Sequence, residues 1–367
     1  MLSDDDRLLK EKVKAVESEI VQTMTYLDQV SRTSPINPFI VRWKEMRPAL
    51  HKLAEAAIKE KKKAPIAINL LNKATDGIFA SMPTMQIGFK VIPPGGRSLR
   101  PVQTLAESIE YVMEGDGYSI VDGDRLDWEK GDMFVVPPGA VHEHCNLDSK
   151  PAITFYANNG GLLRLMNLSE TQPVAWEAED NPDEILPSDP ICWEALRKLQ
   201  DPNVEAVPAL RMQRPSAAKP FIVKWQASRE LLEALLHHPA KEDPRAGKIV
   251  AYINRSKGDR YATAGTMVGG FQIIKAEYRG MAHCHSMAAI QLAVVGRGYS
   301  VIDGHRYDWD EGDVLIFPAW CMHEHGNEDT EPAILYGVLD NPLTRGMRVQ
   351  RVVELEQGYQ EVLEAVA

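Results

Sequence analysis

Gly296-Arg-Gly-Tyr-Ser-Val-Ile-Asp-Gly-His-Arg-Tyr-Asp-Trp-Asp-Glu-Gly-Asp313 repeats, at a constant offset of 181, the earlier stretch Gly115-Asp-Gly-Tyr-Ser-Ile-Val-Asp-Gly-Asp-Arg-Leu-Asp-Trp-Glu-Lys-Gly-Asp132. Eleven of the eighteen positions are identical, which excludes coincidence and marks an internal duplication. His142-Glu-His144 matches His323-Glu-His325 at the same offset. Pro38-Phe-Ile-Val-Arg-Trp43 matches Pro220-Phe-Ile-Val-Lys-Trp225 at 182, so a one-residue indel lies between. Within each copy, short apolar runs alternate with Asp-Gly turns, Asp122-Gly123 in the first and Asp303-Gly304 in the second. Runs such as Met85 to Ile92, Ile109 to Met113, Tyr118 to Val121 and Met133 to Val136, so punctuated, predict an antiparallel sandwich or barrel.

The chain is long enough, at 367 residues, for two such domains with sizeable cores. The expected organisation is an N-terminal helical arm over 1–37, a first β domain over 38–172 and a linker over 173–219. A second β domain follows over 220–345, and a closing helix over 346–367. The arm rests on the spacing of Leu9, Val13, Val16, Ile20, Met24 and Leu27 between Ser3 and Val30. Helices are also expected over Arg42 to Ile58, Trp193 to Leu199, Ser228 to His237 and Arg351 to Val366.

Composition narrows the function. A hydrophobic fraction of 44% and a charged fraction of 25% are ordinary for a globular protein, and a net charge of −11 argues against a nucleic-acid surface. Lys61-Lys-Lys63 reads as a solvated helix end. No apolar run approaches a membrane span, and the acidic start, Asp4 to Asp6, is unlike a signal peptide. Cys145, Cys192, Cys284 and Cys321 form no CxxC pair, which fits a reduced cytoplasmic protein.

The two copies diverge where chemistry is expected. His283 and His285 alternate along a strand, so both imidazoles share one face while Cys284 points away. His323, on a later strand, completes a set of three donors that leaves several coordination positions open. In the first copy the counterparts of His283 and His285 are Val102 and Thr104, which offer no imidazole. A metal is therefore expected in the C-terminal copy and a structural role for the N-terminal one.

Gly280-Met-Ala-His-Cys-His285, followed by Gly296-Arg-Gly and by Gly312-Asp-Val-Leu-Ile-Phe-Pro318 to His323, resembles the two cupin motifs. With Trp43-Lys-Glu-Met-Arg-Pro-Ala-Leu50, Pro318-Ala-Trp-Cys-Met-His-Glu-His-Gly-Asn327 and Leu339-Asp-Asn-Pro-Leu343, the chain resembles the bicupin gentisate 1,2-dioxygenase family, which includes salicylate and 1-hydroxy-2-naphthoate dioxygenases. The resemblance covers about Pro38 to Leu343. It implies a mainly β fold of two tandem cupin jelly rolls with flanking helices. It also implies a non-haem Fe(II) held by His283, His285 and His323 without a carboxylate, and ring cleavage of a hydroxylated or amino-substituted aromatic acid by O2. Imidazole suits Mn, Ni, Cu and Zn as well.

Two departures stand out. Family members carry iron in the N-terminal cupin, whereas here only the C-terminal copy has the ligands. The family's arginine that meets the substrate carboxylate falls at Gln291, which forms no charge-assisted bidentate pair. His325 corresponds to a second-sphere histidine that handles a proton or donates to oxygen; bonding a strand-end carbonyl is the equal alternative, since His144 retains it in the other copy. Gln272 and Gln291 are candidates to hydrogen-bond substrate, the alternative being that the two amides satisfy one another, and Trp320 is a candidate pocket wall, with ordinary core packing as the leading alternative. A homo-oligomer, dimer or tetramer, is expected. Two other readings stay open: a cupin isomerase or decarboxylase using another divalent metal, and a non-catalytic small-molecule-binding bicupin.

Overall fold

Alternation along the strands sets the architecture. In Gln86–Ile92, Ile87, Phe89 and Val91 face one way and Gly88, Lys90 and Ile92 the other. The computed structural model describes residues 36–75, 80–98, 102–166, 168, 171–173, 218–239, 243–257 and 261–366. The expected helices over Ser3 to Val30 and Trp193 to Leu199 lie outside these residues, as does nearly all of the expected linker.

Each copy is a sandwich of two sheets. In the N-terminal copy a six-stranded sheet faces a five-stranded one, and in the C-terminal copy a six-stranded sheet faces a seven-stranded one. Among the described strands pairing is antiparallel except between His305–Trp309 and Glu364–Val366. Buried Ile92, Val112, Trp128 and Phe134 fill the first sandwich, and Ile274, Trp309, Leu315 and Phe317 the second. A third cluster joins the copies: Ile87, Phe89, Tyr111 and Phe155 meet Phe271, Ile290, Ile316 and Tyr336 across the outer faces of the six-stranded sheets. Tyr111 stacks on Tyr336 there, with ring centroids 5.2 Å apart.

The two copies exchange their opening strands. Phe39–Val41 pairs with Val314–Phe317 of the second copy, and Phe221–Val223 pairs with Met133–Val136 of the first. The repeated Phe-Ile-Val-(Arg/Lys)-Trp motif is thus a clasp. After each strand a helix begins, Trp43–Lys59 in one copy and Trp225–His237 in the other. Neither start has a capping side chain of its own. The opposite copy supplies one: Asp313 Oδ1 accepts from Trp43 N at 2.8 Å, and Asp132 Oδ1 from Trp225 N at 2.9 Å. Arg42 and Lys224 pair with the second oxygens of the same aspartates at 3.1 and 2.5 Å. Gly312, at φ +93°, has to be glycine, because a Cβ there would lie 2.3 Å from the Trp43 ring. Asp313→Ala removes both the cap and the partner of Arg42, and is expected to lower stability by about 2 kcal/mol. A thermal melt of the variant checks this, and an unchanged midpoint contradicts the clasp.

The expected closing helix over 346–367 is corrected by the structure. A short helix, Asn341–Gly346, ends before it, and the segment contributes the strands Val352–Glu354 and Glu364–Val366. Val352–Glu354 pairs with His283–His285, in the register His283 to Glu354 and His285 to Val352. The unpaired backbone of that edge, the β-branched pair Val352-Val353 and Gly358 at φ +84° together favour strands over a helix.

Candidate metal centre and its cavity

His283–His285 is a three-residue strand held between two neighbours, with His283 opposite both His323 and Glu354. Alternation puts His283 and His285 on the inner face, where His323 joins them; all three are buried. Their ligand-capable nitrogens lie within 4.8 Å of one another. His283 and His323 approach to 4.4 Å between ring centroids.

Backbone carbonyls set the tautomer of each ring. Nδ1 of His283 lies 3.0 Å from Met281 O, Nδ1 of His285 2.8 Å from Met287 O, and Nδ1 of His323 3.0 Å from Cys321 O. A carbonyl only accepts, so each Nδ1 carries the proton and each Nε2 keeps a lone pair for a cation. Burial holds all three neutral: it lowers His283, pushes His285 down to about 4, and takes His323 well below the usual range, neighbouring imidazoles adding to the last two. Three neutral, buried nitrogen donors with second-sphere partners in place suit a divalent transition metal.

The histidines line a cavity of about 390 Å³, a size that takes a substituted benzene ring. His325, Gln272 and Gln291 line it too, as do the apolar Val250, Met287, Phe317 and Leu339. His325 is buried and bonded through Nδ1 to Ser300 Oγ at 2.9 Å, and Ser300 Oγ also accepts from Trp309 Nε1 at 3.2 Å. Burial, with the neighbouring imidazoles of His283 and His285 adding to it, pushes His325 down to about 3, so it too is neutral. Trp320 is a correction: it is absent from the cavity lining, its backbone takes φ +68°, and it is 37% exposed. Its N–H donates to His285 O at 2.7 Å, so the residue braces a ligand strand from the backbone. Arg279 and Arg297 are engaged with Glu324 and Asp329, and neither lines the cavity.

The same place in the N-terminal barrel is filled. Lys90 Nζ lies 2.7 Å from Glu110 Oε1 and 2.7 Å from His144 Nε2. Thr154 Oγ1 donates to Glu110 Oε2 at 3.0 Å, and Tyr156 OH to Asn69 Oδ1 at 2.6 Å. At the repeat offsets these residues become Gln272, Gln291, Leu335, Gly337 and Ala251 in the C-terminal barrel. A protein ammonium thus stands beside His142 and His144, where the other copy presents three free Nε2 atoms. Gly337, Ala251 and Arg345, whose guanidinium lies 4.7 Å over the Tyr261 ring, also line the cavity and went unnoticed in the sequence. Aligning the copies beyond the motifs would have found Gly337 and Ala251, because both stand where the first copy has a larger polar side chain.

Comparison with known proteins agrees with this picture. The cupin domain model matches residues 88–157 and 270–339. The 5-aminosalicylate 1,2-dioxygenase of Comamonas sp is 23% identical over 97% of this chain and 91% of its own length. Gentisate 1,2 dioxygenase 1 of Aquipseudomonas alcaligenes is 26% identical over 74% of each chain. The salicylate 1,2-dioxygenase of Pseudaminobacter salicylatoxidans superposes with a TM-score of 0.73 at 18% identity, covering 98% of this chain and 100% of that one. The chain thus carries two tandem cupin domains and is similar, over most of its length, to the ring-cleaving dioxygenases of gentisate and aminosalicylate.

Proposed function

We propose that the protein is a non-haem Fe(II) dioxygenase that opens the ring of a hydroxylated or amino-substituted aromatic acid, working in its C-terminal cupin. The observation that carries this reading is the set of three buried imidazoles, each with Nε2 free, at the wall of a largely apolar cavity sized for one aromatic ring. Bound there by His283, His285 and His323, the metal would supply the site at which a chelating substrate and O2 meet.

The chain's own residues would do the rest. Val250, Phe317 and Leu339 exclude water around the ring, which strengthens every polar contact inside. His325, fixed by Ser300, holds its imidazole at the cavity wall as a neutral group able to take or give a proton. Arg345 presents a guanidinium for an acidic substrate. We assign the protein to the cytoplasm; no described helix is long and apolar enough to cross a membrane, and Cys145, Cys284 and Cys321 form no disulfide among the described residues. We also propose a homo-oligomer, in which a subunit contact would cover exposed apolar side chains such as Met347, Val349 and Leu363.

Oxygen uptake by anaerobically Fe(II)-loaded protein tests the activity, with gentisate, salicylate, 5-aminosalicylate and 1-hydroxy-2-naphthoate as candidates and His283→Ala as control. Uptake yielding a ring-opened product, absent from the control, is the expected result. Turnover of an acid without oxygen consumption would instead identify an isomerase or decarboxylase.

A further inference from the structure

We propose that Asp340 is an outer-sphere carboxylate of the metal centre, acting on His285 through one peptide group, and that Thr84 of the N-terminal cupin holds it in place. The inference rests on the dioxygenase reading only for the metal centre, not for the reaction.

Three neutral histidines bring none of the negative charge that a carboxylate ligand would offer a divalent cation. The backbone supplies a route for it. Met287 and Ala288 share one peptide group, whose carbonyl accepts from His285 Nδ1 at 2.8 Å and whose N–H donates to Asp340 Oδ1 at 2.9 Å. Carboxylate, peptide and imidazole thus stand in one chain of hydrogen bonds, in which each bond polarises the next. An anion at the N–H end makes the carbonyl a better acceptor. A better acceptor at Nδ1 fixes the ring and raises the basicity of Nε2. Asp340 is only 3% exposed, and among the described residues no lysine or arginine pairs with it. Its other oxygen accepts from Thr84 Oγ1 at 2.7 Å, a contact that crosses from one copy to the other. Leu339 and Asn341, on either side of Asp340, line the cavity, as do Met287 and Ala289 on either side of Ala288.

Comparison of the copies shows that the charge accompanies the histidine. At the repeat offset Asn159 stands for Asp340, Glu107 for Ala288 and Thr104 for His285. Asn159 Oδ1 accepts from Glu107 N at 3.1 Å, so the turn itself needs an acceptor but no charge. The copy with threonine has the amide, and the copy with the imidazole has the acid. Glu107 is a buried carboxylate too, but it accepts from Gly265 and Thr266 of the other copy and stands behind no imidazole. The remaining ligands are served differently. Ala282 N, behind His283, donates to the neutral Gly358 O. Met322 N, behind His323, donates to Asp303 Oδ1 at 2.8 Å, a contact that Asp122 and Val141 repeat beside His142 in the first copy. Of the two carboxylates behind ligand histidines, Asp340 is the one that separates the metal-binding half from the other.

Titration of Co(II) into the full chain against a competing chelator tests this, at a mildly alkaline pH where Asp340, pushed up to about 6 by burial, is ionised. Asp340→Asn keeps the shape and the acceptor and removes the charge, as the first copy does. Its Co(II) affinity should fall by about tenfold, the low end of what second-sphere changes cost. Glu107→Gln, which discharges a buried carboxylate at the same junction, should bind Co(II) as the parent does. Thr84→Val should weaken binding and Thr84→Ser restore it, and this pair decides the matter if Asp340→Asn does not fold. An affinity of Asp340→Asn within about twofold of the parent's, or an equal loss in Glu107→Gln, overturns the inference. A parent that binds no Co(II) overturns it together with the metal centre. Weakened binding by Asp340→Asn, beside an Fe(II)-loaded parent that consumes no oxygen, would uphold the inference while sinking the dioxygenase reading. Oxygen uptake by the parent, beside an Asp340→Asn variant that binds metal normally, would do the reverse.

Discussion

His323→Ala is expected to empty the metal centre, while His142→Ala, the equivalent change in the other barrel, leaves it intact. His323 faces both other donors, 4.4 Å from His283 and 4.8 Å from His285 between ring centroids, and its Nδ1–H is already held by Cys321 O. Losing it leaves two nitrogens on one short strand, too few for the open three-donor geometry. Even second-sphere changes weaken metal sites by 10- to 100-fold, so loss of a direct donor should reduce affinity by more than about 100-fold. His142 has the matching bond, 3.2 Å from Nδ1 to Ala140 O, and is half-buried, so it controls for loss of an imidazole at the equivalent position. Metal content after dialysis and oxygen uptake give the readout. Metal retained by His323→Ala, or lost from His142→Ala, would refute the assignment of the metal to the C-terminal copy.

Much of this centre was legible because its logic is local. The His-x-His spacing needs only strand alternation to bring His283 and His285 together, and the repeat itself exposed Val102 and Thr104 as non-ligands. The Asp-Gly turns, which take up φ +49° at Asp122 and Asp303 and +87° and +83° at the glycines after them, gave the β architecture away in the same fashion. What could not be read depends on partners distant in sequence. An edge strand such as Phe39–Val41 carries no mark of the sheet it joins, so the exchange between copies stayed hidden. Val352, Leu355, Tyr359 and Val366 are spaced as a helix would space them, yet the backbone edge beside His283–His285 decides their fate. Trp320, a candidate pocket wall, takes a left-handed backbone and is absent from the cavity lining, which nothing in its neighbours in sequence foretells.

Refilling the cavity should silence the protein without touching its histidines. Gly337→Tyr restores the side chain that Tyr156 places in the N-terminal barrel, and Ala251→Asn beside it restores the Asn69 partner of that tyrosine hydroxyl. The backbone allows the change: a Cβ at Gly337 meets nothing closer than Ile290 O at 3.8 Å, and φ there is not positive. Since the new ring would occupy space that is now cavity rather than packed core, the usual penalty for overpacking does not apply. The double variant should therefore melt within a few degrees of the parent and keep its metal. Affinity for an aromatic acid should fall by at least about 100-fold, because the phenol ring would project into the cavity that the three histidines line and compete with the ligand for it. Calorimetry with the tightest-binding ligand, alongside metal analysis, separates the outcomes. Loss of the metal with the ligand would mean that the ring displaces the histidines rather than the substrate. Undiminished affinity would show that the ligand binds outside this barrel, and the reading of the C-terminal cupin as the working half would fall with it.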